Sequence, residues 1–270
     1  MNFKILFILI AFFCQFTNGK SLNVAPVKVS GKIVNPNDKY IVFNFNEKND
    51  TFQLDSKNEF NGSLNIQQPA YGSIFYGGEF YSLYLSPGDD ISLTLNTKEF
   101  DETIKYAGKG SDICNFLAQK YLFMEPFEMN FNELFQLKFK EFASTIDSIK
   151  MKLNVQLDEF LKKSKIKDKA FIDNEKIDIL YRWAIYIIDY SSVHKYLTKD
   201  TFNNFSTCND YIKDQITFKD TNLFQFYRYS HFIERYIYCY TSSLIGEDIA
   251  INNPDIYYNL KSVKKVNNYN

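Results

Sequence analysis

The chain changes its hydrophobic rhythm once. Between Val27 and Ala107 apolar residues recur at every second position, and beyond Gly108-Lys109-Gly110 they recur every three or four. The first rhythm belongs to strands with one buried face, the second to helices. Val27, Val29 and Ile33 fall on a first strand. Residues 40–45 form a second, with Ile41, Phe43 and Phe45 on one face. Residues 51–54, 59–66, 71–76, 80–85, 91–95 and 103–106 complete the set, with Tyr81, Leu83 and Leu85 alternating in the sixth. Turn chemistry recurs at short intervals: Asn35-Pro36-Asn37-Asp38, residues 55–58, a Gly77-Gly78 break and Pro87-Gly88-Asp89-Asp90. This pattern predicts a small antiparallel β-sandwich of seven or eight strands in a domain spanning residues 20–107.

The second half predicts a helical domain over residues 108–265, with helices ending near residue 260. The fold class is therefore α+β: an N-terminal antiparallel sandwich followed by an all-helical region. Ser111-Asp112 is placed to cap a first helix running through Cys114, Leu117 and Tyr121. The best-defined helix follows. Phe135, Phe139, Phe142, Ile146, Ile149, Leu153, Leu157 and Phe160 step by threes and fours for seven turns, and Lys162, Lys163 and Lys165 suit its negative end. This stripe either packs on the next helix or forms a coiled-coil seam between copies. Residues 177–190 are apolar nearly all round and predict a helix buried by several neighbours. A last helix spans residues 222–240, with Leu223, Phe226, Ile233, Tyr236 and Tyr240 on one face.

The first nineteen residues carry targeting grammar. Lys4 precedes a nine-residue apolar run at 5–13, and Asn18-Gly19 ends the segment with a small residue before Lys20. The expectation is a signal peptide over residues 1–19, delivering the chain to the periplasm or cell envelope. A buried N-terminal strand and a lipoprotein anchor at Cys14 are the lesser readings, since Phe12-Phe13 fit a lipobox poorly. Beyond this run no stretch approaches the roughly 20 apolar residues a membrane helix needs. The 270 residues carry a net charge of −1, which argues against a nucleic-acid or polyanion surface. The chain holds 27 Phe and 20 Tyr, and together with abundant Asn, Lys and Ile they fit an A/T-rich coding bias better than a binding platform.

Three cysteines remain after residue 19: Cys114, Cys208 and Cys239. No two have CxxC spacing, the arrangement in which one thiolate attacks and its neighbour resolves the mixed disulfide. Each lies in an apolar helical pattern and is expected to pack in a core, though an oxidising compartment leaves open a disulfide between two of them. His194 and His231 sit in separate helical segments, and His231 with Glu234 is a weak metal pair, so both are expected at the surface or at helix caps. Asp89-Asp90 lacks the further oxygen ligands of a calcium loop and reads as turn chemistry. Neither Gly77-Gly78 nor Gly108-x-Gly110 has a phosphate-loop context, and no Gly-x-Ser-x-Gly elbow occurs. Sequons at Asn49, Asn61 and Asn204 are expected by chance in so Asn-rich a chain. The residues themselves therefore assign no catalytic, cofactor-binding or metal-ligating position.

One passage is more specific. Residues 84–117 read YLSPGDDISLTLNTKEFDETIKYAGKGSDICNFL. This resembles the N-terminal region of the Bacteroidetes TlpA-like (thioredoxin-like) envelope thiol–disulfide oxidoreductases, which carry "LxPGDxIxLxLD … F … I … GxGAxxNxxL" ahead of helices and a thioredoxin domain. Leu223-Phe224, Tyr229, Phe232-Ile233 and Tyr236 extend the likeness into the last helix, so that it covers most of the chain after residue 19. The resemblance implies a redox module with a WCxPC centre beyond the helices. Here neither that centre nor its "G … apdF … G … L" lead-in follows, the polar residues 261–270 stand there instead, and the one tryptophan, Trp183, lies in a helix. No position receives the family's redox residues. The expectation is a non-catalytic accessory module that works with a thioredoxin-domain protein or self-associates through its helices. The alternatives are a free-standing envelope protein binding a peptide or glycan on exposed aromatics such as Tyr76, Tyr81 and Tyr84, or an enzyme with an unfamiliar site.

Overall fold

A computed structural model describes residues 24–200 and 205–245. The expected signal peptide at 1–19, Cys14, Asn204 and the polar residues 261–270 lie outside the described residues. The chain is α+β, as its two rhythms predict: eight strands in two sheets, then a helical region.

The strands are β1 (Val27–Val34), β2 (Tyr40–Phe45), β3 (Lys48–Gln53), β4 (Glu59–Leu64), β5 (Ala70–Tyr76), β6 (Glu79–Leu85), β7 (Asp90–Asn96) and β8 (Lys105–Lys109). One sheet has the order β4-β1-β7-β8 and the other β3-β2-β5-β6. Alternation places Ile41, Phe43 and Phe45 of β2 and Ile91, Leu93 and Leu95 of β7 on facing inner surfaces, all buried. Two hairpins have two-residue loops in which both residues take positive φ: Asn46-Glu47 (51° and 63°) and Gly77-Gly78 (58° and 91°). That geometry matches the twist of the flanking strands. One pairing departs from the expected all-antiparallel sandwich: β1 runs parallel to β7, Val29 opposite Ile91. The second sheet supplies the crossover that a parallel pair requires, since β2, β3, β5 and β6 lie between them in sequence.

The helical region contains α1 (Phe100–Thr103), α2 (Ser111–Met129), α3 (Phe131–Gln136), α4 (Phe139–Ser164), α5 (Lys169–Thr198), α6 (Phe205–Ile212) and α7 (Tyr227–Ile245), with a 3₁₀ turn at Thr221–Gln225. Helix α2 is a shared wall. Its Cys114 and Ala118 join the sandwich core, while Ile113, Phe116, Leu117 and Met124 join the helical core. It packs against β6 and β8, one strand from each sheet, and β8 runs through the expected boundary at 107/108. Gly110, not Ser111-Asp112, occupies the N-cap of α2, and the Ser111 hydroxyl instead donates to the Gly108 carbonyl at 2.7 Å.

The long apolar stripe is real but not one helix. Leu137 and Lys138 are extended, which separates α3 from α4. The sequence conceals the break because the three-four spacing continues across it. Helix α5 supplies the partners that make it tolerable: Tyr190 donates to the Leu137 carbonyl and His194 Nδ1–H to the Phe135 carbonyl, both at 2.7 Å. Phe142, Ile146, Leu153 and Leu157 are buried in the chain's own helical core. Residues 177–190 of α5 are buried or half-buried nearly throughout, as their composition predicts. The last segment starts as the 3₁₀ turn and becomes helical at Tyr227. Among the described residues no helix is long and apolar enough to cross a membrane.

Candidate functional site

The passage at residues 84–117 forms an interlocked joint. Ser86 to Asp89 make a tight turn closed by the Asp89 N–H on the Ser86 carbonyl at 3.0 Å, with Gly88 at φ 76°. Pro and Gly in its second and third positions are the residues this turn geometry requires. The Asp89 carboxylate is 7% exposed and accepts from the Ser86 N–H at 2.7 Å, while Lys109 donates to the Gly88 carbonyl at 2.8 Å. Two glycines allow the opposite strand to close on this turn. A Cβ on Gly108 (φ 95°) would lie 2.2 Å from the Asp90 carbonyl oxygen, and one on Gly110 (φ 96°) 2.5 Å from the Asp89 carboxyl carbon. Asn115 then pairs with both backbone groups of Tyr106, at 2.8 and 2.9 Å. Asp89 thus closes the turn, as its sequence context predicts, and Asp90 opens β7 opposite Lys109.

Just beyond the joint, sandwich and helices meet through polar bonds. Tyr84 donates to Asp168 Oδ2 at 2.8 Å, and Asp168 Oδ1 caps α5 by accepting from the Phe171 N–H. Tyr71 donates to Glu175 Oε1 at 2.8 Å. Burial, reinforced by Glu175, pushes the Tyr71 phenol far above its ordinary range, so it stays a donor. Lys120 of α2 bridges Glu175 at 2.6 Å and Asp178 at 2.8 Å. Arg182 and Arg228 also reach Asp178, at 3.0 and 2.8 Å. Burial alone would raise the Asp178 carboxyl, but Arg182, then Lys120 and Arg228, hold it well below the usual carboxylate range. Every charge here has an opposite partner, the condition under which buried ions are tolerated.

The three thiols do not all meet: Cys208 and Cys239 lie near enough to each other and to Asp189 to interact, while Cys114 stands apart. Cys114 lies in the sandwich core, Cys208 and Cys239 in the helical core, and all are free and buried. Burial pushes Cys114 and Cys208 each up to about 12. It drives Cys239 well above its ordinary value, and the nearby Asp189, which accepts from Cys239 Sγ at 3.6 Å, adds to the effect. A thiol reacts as thiolate, so each is chemically quiet. The expectation that they pack in cores holds.

The aromatics expected to be exposed are not. Tyr76 and Tyr81 face the sandwich core at 2% exposure, and Tyr84 is covered by Phe171 with ring centres 5.3 Å apart. His194 is buried with Nδ1 on the Phe135 carbonyl at the end of α3, which is the cap alternative of its expected placements. His231 is half-buried with no partner for Nδ1; burial, then Arg228, lowers its pKa. Among the described residues no three His, Cys, Asp or Glu side chains converge as metal ligands.

One further feature was not read from the sequence. A surface cleft of about 370 Å³ lies between α4 and α6, lined by Phe139, Lys140, Ala143, Ser144, Asp147 and Tyr211. Asp147 in its lining is fixed by two donors: Oδ1 accepts from the Trp183 indole N–H at 2.7 Å, and Oδ2 from the Tyr211 hydroxyl at 2.6 Å. Lys150 lies 3.7 Å from the centre of the Trp183 ring and donates to Gln215 at 2.6 Å. Burial lowers its pKa, although Asp147 pulls it back up. The spacing 139, 140, 143, 144, 147 on one helix face was visible in the sequence, but its partner Tyr211 stands on α6, a short helix the pattern did not reveal. Comparisons with protein-family models, curated proteins and solved structures return no match to this chain.

Proposed function

We propose that this chain is a non-catalytic accessory module of a cell-envelope, TlpA-like thiol–disulfide oxidoreductase, acting from the periplasm or envelope to hold or present a thioredoxin-type domain. The resemblance of residues 84–117 is the source of this reading. The observation that supports it most is the form those residues take. The PGDD turn and the GKG strand end interlock and set α2 against both cores, a structural role that agrees with an accessory module. The quiet thiols agree with a supporting role. The partner is a thioredoxin-domain protein, encoded beside this chain or beyond codon 270.

The test is genetic and biochemical. Reading the DNA around and beyond codon 270 should reveal a thioredoxin domain with a CxxC centre, and that protein should co-purify with this chain from its native envelope. Co-purification without any thioredoxin-fold protein, from a locus that encodes none, would sink the proposal.

A further inference from the structure

We propose that the cleft between α4 and α6 is a saccharide-binding site, an inference independent of the accessory role. Its volume of about 370 Å³ lies at the lower end of the range for small-ligand sites, about 300–1,000 Å³. The wall is aromatic and apolar: Phe139, Ala143 and the ring of Tyr211, which is 37% exposed. Phe139 and Tyr211 meet edge to face with centres 5.6 Å apart, so the wall is presented in a fixed geometry. The Asp147 carboxylate lines the same cleft, 2.6 Å from the Tyr211 hydroxyl. An ionised carboxylate accepts about four hydrogen bonds, and two donors, Trp183 and Tyr211, come from the protein. They orient the group and leave lone pairs for ligand donors. Exposed Lys140 and Ser144 add an ammonium and a hydroxyl at the rim.

The ligand must therefore offer an apolar face and several hydroxyls around one ring. A pyranose meets both demands: its C–H face lies on an aromatic wall and its hydroxyls donate to a carboxylate and accept from a lysine. A purely apolar ligand would cover Asp147 and give its lone pairs nothing, which is costly. A cationic ligand would meet the Lys140 ammonium at the rim and the Lys150 ammonium beside Asp147. The cleft is also too small for a docked helix.

Trp183 is the chain's one tryptophan and bonds directly to Asp147, so its fluorescence reports the site. The full chain is titrated with methyl α-glucoside, N-acetylglucosamine and glucuronic acid, with saturation-transfer NMR as a second readout. The expected result is a saturable change in Trp183 emission for at least one sugar. Ser144→Tyr, at an exposed position, fills the cleft and should weaken that binding at least about tenfold, with an unchanged circular dichroism melt. Should that variant fold poorly, Tyr211→Ala removes the aromatic wall and should have the same effect. The absence of saturable binding for all three sugars, or affinity unchanged in the well-folded variant, overturns the proposal.

Discussion

The joint at residues 84–117 predicts a large effect from adding one carbon. Gly108 has φ 95°, and in Gly108→Ala the new Cβ would stand 2.2 Å from the Asp90 carbonyl oxygen. That oxygen is backbone in β7, paired through Asp90 with Lys109 and through Ile91 with Gly108 itself, so it has no rotamer to change. Two costs add. Holding an alanine at positive φ costs about 1–2 kcal/mol, and forcing a methyl-sized group into a filled site costs about 1–3 kcal/mol. The expected loss is about 2–5 kcal/mol, a large share of the about 5–15 kcal/mol that holds a protein of this kind together. Urea titrations of both proteins should be followed by far-ultraviolet circular dichroism and by Trp183 fluorescence. The two probes should shift together, since α2 belongs to both cores. A loss under about 1 kcal/mol would refute the claim that β8 must approach β7 this closely, and with it the reading of the glycine pair as a structural device.

Three further outcomes follow from the same packing. Phe142→Ala should cost about 3–5 kcal/mol, because Phe142 is fully buried with the Phe135 and Tyr190 rings 4.8 and 4.6 Å away; a denaturant melt showing under about 1 kcal/mol would place the stripe at an open surface instead. Asp178→Ala should cost about 3–5 kcal/mol, since Lys120, Arg182 and Arg228 lose a shared counter-ion in a mostly buried seam; a melting temperature equal to the parent's would contradict that network. His231 has a lowered folded pKa, so the unfolded state takes up its proton first. Its contribution is complete above about pH 6.5 and is lost as pH falls through the folded value. Thermal melts should therefore show stability falling as the pH drops below about 6.5, with a shallower slope in His231→Gln.

Much of the fold was legible because one face of each element is buried. Ile41, Phe43 and Phe45 announce β2, and the all-round apolarity of residues 177–190 announces a central helix. What was hidden depends on partners distant in sequence. Nothing in β1 or β7 alone says that they lie parallel. The break at Leu137-Lys138 keeps the stripe's spacing and is stabilised by Tyr190 and His194, some fifty residues on in sequence. The start of β3 was missed because Lys48, Asn49 and Asp50 pair as an exposed edge, and its signal was the Asn46-Glu47 turn. Tyr81 was misjudged as exposed although alternation sets it beside Leu83 and Leu85. Tyr84 does point outward from its sheet, and only the helical layer buries it. The cleft around Asp147 needed α6, too short to show a period.

The measurement closest to the central claim is thiol–disulfide exchange by the purified chain. Cys114, Cys208 and Cys239 are buried, and burial raises each one's pKa. The chain alone should reduce insulin disulfides no faster than the uncatalysed background at neutral pH. A rate above background that disappears when any one of these three cysteines is replaced by serine would show that the chain is itself a redox enzyme, and the accessory-module account would be wrong.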